Sequence, residues 1–103
     1  MKITYWTKEG RFETRNGFSI PREKLYRAHG PTLEYPRGNK EWWSNSVRHR
    51  IDGPAVIDQS GYSMWFINGV SITEEIIAWA KENNINLNNL TDNDKMRIKL
   101  VWC

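Results

Sequence analysis

Arg27-Ala28-His29-Gly30-Pro31 recurs as Arg50-Ile51-Asp52-Gly53-Pro54, and the echo continues through Gly38/Gly61, Trp42/Trp65, Asn45/Asn68 and Val47/Val70, always 23 residues apart. Seven of the 21 positions from 27/50 to 47/70 are identical, where unrelated segments would share about one or two at average residue frequencies. A fixed period of this size means that one supersecondary unit stacks on a copy of itself, which sets the architecture before any side chain is weighed for chemistry. Thr32/Ala55 stay small, Leu33/Val56 aliphatic and Trp43/Phe66 aromatic. The identical set is weighted toward Gly, Pro, Asn and Trp, which fix turns or anchor packing, so what repeats is a backbone shape rather than catalytic side chains.

Each copy divides the same way. Gly-Pro breaks the chain, a short strand follows (32–35, 55–58), a Gly-containing turn reverses it (36–39, 59–61), and an aromatic strand returns (40–43, 62–67). The unit therefore reads as a β-hairpin. Asn68-Gly69 is the strongest turn signal because both residues tolerate the positive φ of a type I′ turn, and Asn45-Ser46 fills the same place less well. Alternation along the returning strands puts Trp42 and Trp65 on one face and Trp43 and Phe66 on the other. Both faces are aromatic: with the first pair as core, the second lies under helices, under the N-terminal segment, or on an exposed binding face.

Before the repeats, residues 2–7 and 11–14 around Lys8-Glu9-Gly10 read as an N-terminal hairpin. Asn16-Gly17-Phe18 echoes Asn68-Gly69-Val70 but is too short to count as a third copy. After them the character changes. Thr73-Glu74-Glu75 predicts a helix over about 74–83, with Thr73 as N-cap, Ile72 and Ile77 as a hydrophobic staple, and Ile76, Trp79 and Ala80 on the buried stripe. Thr91-Asp92-Asn93-Asp94 resembles a second capped start and favours a short helix over about 92–101. Against it, Met96, Ile98, Leu100 and Trp102 alternate with Arg97, Lys99 and Val101 as in a half-buried strand. The expected fold is α+β: a single domain over 1–103, with an N-terminal hairpin and connector (1–24), two hairpin repeats (25–72) and a helical cap (73–103). At this length the core is small, and six Trp, four Tyr and three Phe can supply much of it.

No stretch approaches the roughly 18 apolar residues of a membrane span, and Met1-Lys2-Ile3-Thr4 leads into no apolar signal region. The expected location is cytoplasmic. The single cysteine, Cys103, excludes an internal disulfide and any multi-thiolate metal site. The net charge of +3 is uneven: residues 73–103 hold four Lys/Arg against five Asp/Glu, and residues 1–72 hold eleven against seven. That basic excess suits an acidic protein or a nucleotide phosphate and falls short of a dedicated nucleic-acid footprint.

Gly-x-x-x-Trp-aromatic-x-Asn-Gly on a 23-residue period resembles MORN repeats, which are hairpin units of that length. Arg50-x-Asp52-Gly53-Pro54-Ala55-Val56 resembles a variant repeat of small bacteriophage and bacterial proteins, often followed by a Thr-Glu-Glu helix start. The resemblance covers about residues 25–75. It departs where His29 replaces Asp52, where Ser46 replaces Gly69, and where Gly-Pro stands in place of the usual Gly-x-Gly step, so lipid-headgroup contact does not carry over. It implies a repetitive β-sheet used as a binding surface, in a phage-type protein acting on a host component.

His49, flanked by Arg48 and Arg50 and followed by Asp52, invites a catalytic or phosphate-binding reading. No orienting acid or nucleophile motif accompanies it, and Arg50 with Asp52 is expected to pair or bond the backbone around the Gly-Pro turn. No phosphate loop, nucleophile elbow or metal-ligand spacing is present. A non-enzymatic binding module without cofactor is therefore expected. Its residues are those that vary between copies or carry the second aromatic face: Arg37, Lys40, Trp43, Arg48, His49 and Phe66. They would dock onto a protein, since aromatics and Arg dominate interface hot spots. The alternatives are a nucleotide-sequestering site that stacks a base and pairs its phosphates, and a structural homodimer formed through an open sheet edge.

Overall fold

β-Branched and aromatic residues in Ile3–Thr7 form β1, and the two-residue loop Lys8-Glu9 folds it onto β2, Gly10–Thr14. The computed structural model describes residues 2–103. Each repeat then contributes two hairpins: β3 (Leu33–Glu34) with β4 (Lys40–Glu41) and β5 (Trp43–Ser44) with β6 (Val47–Arg48), followed by β7 (Val56–Ile57) with β8 (Ser63–Met64) and β9 (Phe66–Ile67) with β10 (Val70–Ser71). Every strand of the second copy begins 23 residues after its counterpart. The first hairpins join β1 and β2 in a six-stranded antiparallel sheet of order β2-β1-β3-β4-β7-β8, while β5–β6 and β9–β10 form separate ribbons.

The returning strand of each copy is thus not continuous. It breaks at the repeated Trp, where the chain leaves the long sheet and its backbone bonds elsewhere: Trp42 N–H donates to the Ala55 carbonyl at 2.8 Å, and the Trp42 carbonyl accepts from His49 N–H at 3.0 Å. The ribbon turns are left-handed, Asn45 and Ser46 at φ 51° and 70° and Asn68 and Gly69 at 51° and 82°, as type I′ turns require.

A third, partial copy stands at the N-terminus. Thr4 and Tyr5 of β1 face Glu34 and Leu33 as Lys40 and Glu41 of β4 face Ile57 and Val56. The Trp6 carbonyl accepts from Tyr26 N–H, the Trp42 carbonyl from His49 and the Trp65 carbonyl from Ile72, at 2.9, 3.0 and 2.9 Å. Donor positions 26, 49 and 72 keep the 23-residue period. Trp6 is therefore the counterpart of Trp42 and Trp65, displaced in sequence because a connector intervenes. Asn16, in contrast, caps a 3-10 turn by accepting from Phe18 N–H at 3.0 Å.

The recurring Arg and Gly-Pro follow from this geometry. The Arg50 guanidinium lies 3.9 Å from the Trp42 ring centroid and donates to the Pro54 carbonyl at 3.0 Å; Arg27 lies 3.7 Å from Trp6 and donates to Pro31 at 3.0 Å. A Cβ on Gly53 would come within 2.5 Å of the Arg50 guanidinium carbon, and one on Gly30 within 3.0 Å of the Arg27 equivalent. The glycine gives the guanidinium room beside the ring. Asp52 completes the second copy by accepting from Arg50 Nε at 2.9 Å.

Position 73, next in the series 27, 50, 73, is Thr, and there the repeat gives way to α1 (Thr73–Glu82). Ile72, not Thr73, is the N-cap; the Thr73 hydroxyl instead accepts from Trp65 N–H at 3.0 Å. The expected staple does not form, because Ile77 points to solvent while Ile76 is buried. The helix reading wins for α2 (Asp92–Trp102), started by a complete capping box: Thr91 Oγ1 accepts from Asp94 N–H and Asp94 Oδ2 from Thr91 N–H. Both helices cover Trp65, in a core with Ile67, Ile72, Ile76 and Ile98. A second core of Ile20, Leu25 and Leu33, with Ile3, Tyr5, Tyr35 and Trp43 against it, lies at the N-terminal end.

Candidate binding site

The register of the long sheet places Phe12, Tyr5, Leu33, Glu41, Val56 and Met64 in one row across it. Side chains directly opposite one another share a face, so Glu41 is an acid in an otherwise apolar row. Only 12 % of its side chain is exposed, and its Oε1 accepts from Trp43 Nε1 and from Arg48 Nε, each at 2.9 Å. Two donors offset the desolvation that such burial imposes on a carboxylate. Burial raises the Tyr35 phenol above its ordinary 10.0, and the Glu41 carboxylate adds to that shift.

Glu41 thereby fixes two of the residues that the sequence singles out. The Arg48 guanidinium lies 5.2 Å from the Trp43 centroid and 5.6 Å from the Phe66 centroid, and Arg22 lies 5.6 Å from Trp43. Arg48 Nε donates to Glu41, which leaves the two terminal nitrogens of Arg48 without a hydrogen-bond partner among the described residues. Trp43 and Phe66 stay half-buried, and with Ser46, Val47 and Gly69 they line an open depression of about 170 Å³. Trp43 lies partly under the 17–25 segment; neither ring lies in the helical core.

The other three candidates stand apart. Lys40 belongs to the adjacent row of the sheet, between Glu34 and Ile57, and so projects from the opposite face. Arg37 is exposed on the β3–β4 turn and lines a separate groove of about 480 Å³ with Tyr35, Pro36, Asn39, Asp58 and Gln59. His49 is engaged within the fold: its Nδ1 accepts from Asn68 N–H at 2.9 Å, tying the first copy to the ribbon turn of the second. Burial lowers its pKa below 6.5, in keeping with a neutral acceptor ring.

Glu41 and Arg22 are the residues that sequence reasoning missed as members of this cluster. The signal for Glu41 was present in the repeat itself, where Met64 occupies the equivalent position. Arg22 carried no comparable signal, because it lies in the connector outside the period. Among the described residues no group of three or more His, Cys, Asp or Glu is placed to hold a metal ion, and no helix is long and apolar enough to cross a membrane. No family model, curated protein or solved structure matches this chain.

Proposed function

We propose that the chain is a non-enzymatic binding module whose Trp43–Arg48–Phe66 face docks onto a protein. The observation that carries this reading is an arginine held between two half-exposed aromatic rings by a nearly buried acid, with its terminal nitrogens uncommitted. Arg and Trp in such pre-positioned clusters are the residue types on which protein interfaces concentrate their binding energy. A guanidinium already fixed by Glu41 loses less side-chain entropy on docking than a free one. The resemblance of residues 25–75 to the repeats of small phage and bacterial proteins favours a host-cell protein as that partner.

The nucleotide-sequestering alternative has less support. Small-molecule sites usually enclose about 300–1,000 Å³, against about 170 Å³ here, and Arg37 and Lys40 do not share the depression with the rings.

Affinity capture from bacterial lysate tests the proposal with four proteins: wild type, Phe66→Ala, Arg48→Gln and Phe18→Ser, the last at a site 97 % exposed and outside the cluster. Wild type and Phe18→Ser should retain the same protein, and the two face variants should lose it while still unfolding in a cooperative thermal transition. Equal retention by all four, or retention of a nucleotide instead of a protein, would overturn the reading.

A further inference from the structure

We infer that the free edge of β2 is a self-recognition surface, on which a second copy of this chain pairs antiparallel about a two-fold axis through Phe12. β2 is the outermost strand of the sheet and runs five residues, whereas β8 at the other edge runs two.

The backbone parity permits it. Trp6 directs its N–H to the Thr32 carbonyl and its carbonyl to Tyr26 N–H, away from β2. Trp6 and its opposite number Arg11 therefore form a non-hydrogen-bonded pair. By alternation Glu13 opposite Thr4 is another, so Arg11 and Glu13 present their N–H and carbonyl groups at the open edge. A two-fold axis at Phe12 sets Arg11 opposite Glu13 of the second copy and Glu13 opposite its Arg11. Each of these pairs would exchange two backbone hydrogen bonds.

The side chains match in the same register. Charged residues on an edge ordinarily deter pairing, but here the two edge charges are opposite in sign and two residues apart, so the axis converts them into two cross-strand ion pairs. Within one chain Arg11 and Glu13 already approach to 3.1 Å, and Lys2 reaches Glu13 at 3.4 Å; these exposed contacts leave both residues accessible. On the other face Phe12, already stacked on Tyr5 at 5.5 Å, meets its own copy in the closer, non-hydrogen-bonded spacing. The result is an aromatic row Tyr5–Phe12–Phe12–Tyr5 across a continuous twelve-stranded sheet. A five-residue edge buries little area, so the dimer is a transient one.

Sedimentation velocity from about 10 µM to about 1 mM tests the register by charge exchange. Wild type should shift with concentration from 12.2 kDa toward twice that mass. Arg11→Glu alone and Glu13→Arg alone should each remain monomeric, with dissociation constants raised about tenfold or more, because each sets like charges opposite one another. Mixing the two single variants should restore a dimer, since every 11–13 pair is then of opposite charge, and the double variant should dimerise alone. Circular dichroism melts confirm that each variant folds. A monomeric wild type at the highest concentration, or dimerisation indifferent to the exchange, would overturn the inference.

Discussion

The Arg50 guanidinium sits 3.9 Å from the Trp42 ring centroid, and Gly53 lies so close beside it that an added Cβ would come within 2.5 Å. This relationship predicts a conditional cost. Gly53 does not take a positive φ, so Gly53→Ala should destabilise the protein only by displacing the guanidinium, at about 2 kcal/mol for the lost stacking and hydrogen bonds. In an Arg50→Ala background the same substitution should cost less than about half as much. Gly30 provides the contrast: at φ +105° an alanine is strained whatever Arg27 does, so Arg27→Ala should not rescue Gly30→Ala. A double-mutant cycle in urea measures both, and equal costs for Gly53→Ala in the two backgrounds would contradict the packing account.

Ser46 holds φ +70° in the turn where the second copy has Gly69. Because a left-handed conformation costs an ordinary L-residue about 1–2 kcal/mol, Ser46→Gly should stabilise by about 0.5–1 kcal/mol once glycine's greater freedom in the unfolded chain is subtracted. For a domain of this size the thermal midpoint should rise by about 2–6 °C. A midpoint unchanged or lowered would show that the turn is not strained.

The pH response follows from His49. Burial lowers its folded pKa below the ordinary 6.5, and its Nδ1 accepts from Asn68 N–H. The unfolded chain binds the proton more readily, so the contribution is fully present above pH 6.5 and is lost as pH falls through the folded pKa. The thermal midpoint should therefore drop between pH 7.5 and pH 5, and by less in His49→Gln. An equal drop in both proteins would place the proton-linked step elsewhere.

Glu41→Gln keeps an oxygen that can accept from both Trp43 and Arg48 but removes the charge that strengthens both bonds. The variant should lose about 1–2 kcal/mol of stability, less than a fully buried pair because the site is partly solvated. The Tyr35 phenol, raised first by burial and next by Glu41, should then titrate at lower pH than in wild type. Ultraviolet titration reads this directly, and an unmoved phenol would separate Tyr35 from the carboxylate.

The period made the sheet legible because turns and anchors recur at fixed spacing, and the acids of the first helical turns made both helices legible. Two features escaped for physical reasons. Trp6 completes the series of anchoring tryptophans, but β1 pairs with β3 across a connector, so backbone pairing carries the equivalence and linear spacing does not. The candidate face was half legible. Trp43 and Phe66 repeat an aromatic position and Arg48 follows in the neighbouring strand, so strand alternation placed them together. Lys40 joins the expected face because it varies between the copies, yet one residue along a strand reverses the face. His49 joins the expected binding residues because it varies between the copies, whereas its ring nitrogen serves a backbone amide 19 residues away.

Site-directed photo-crosslinking from the proposed face is the most direct measure of the functional account. A benzoylphenylalanine placed at position 66 and irradiated in bacterial lysate should give one dominant protein adduct, sensitive to Arg48→Gln, while the same probe at exposed position 77 on α1 should not give it. Absence of a protein adduct from position 66, or an identical adduct from position 77, would contradict the assignment of the Trp43–Arg48–Phe66 face as the docking surface.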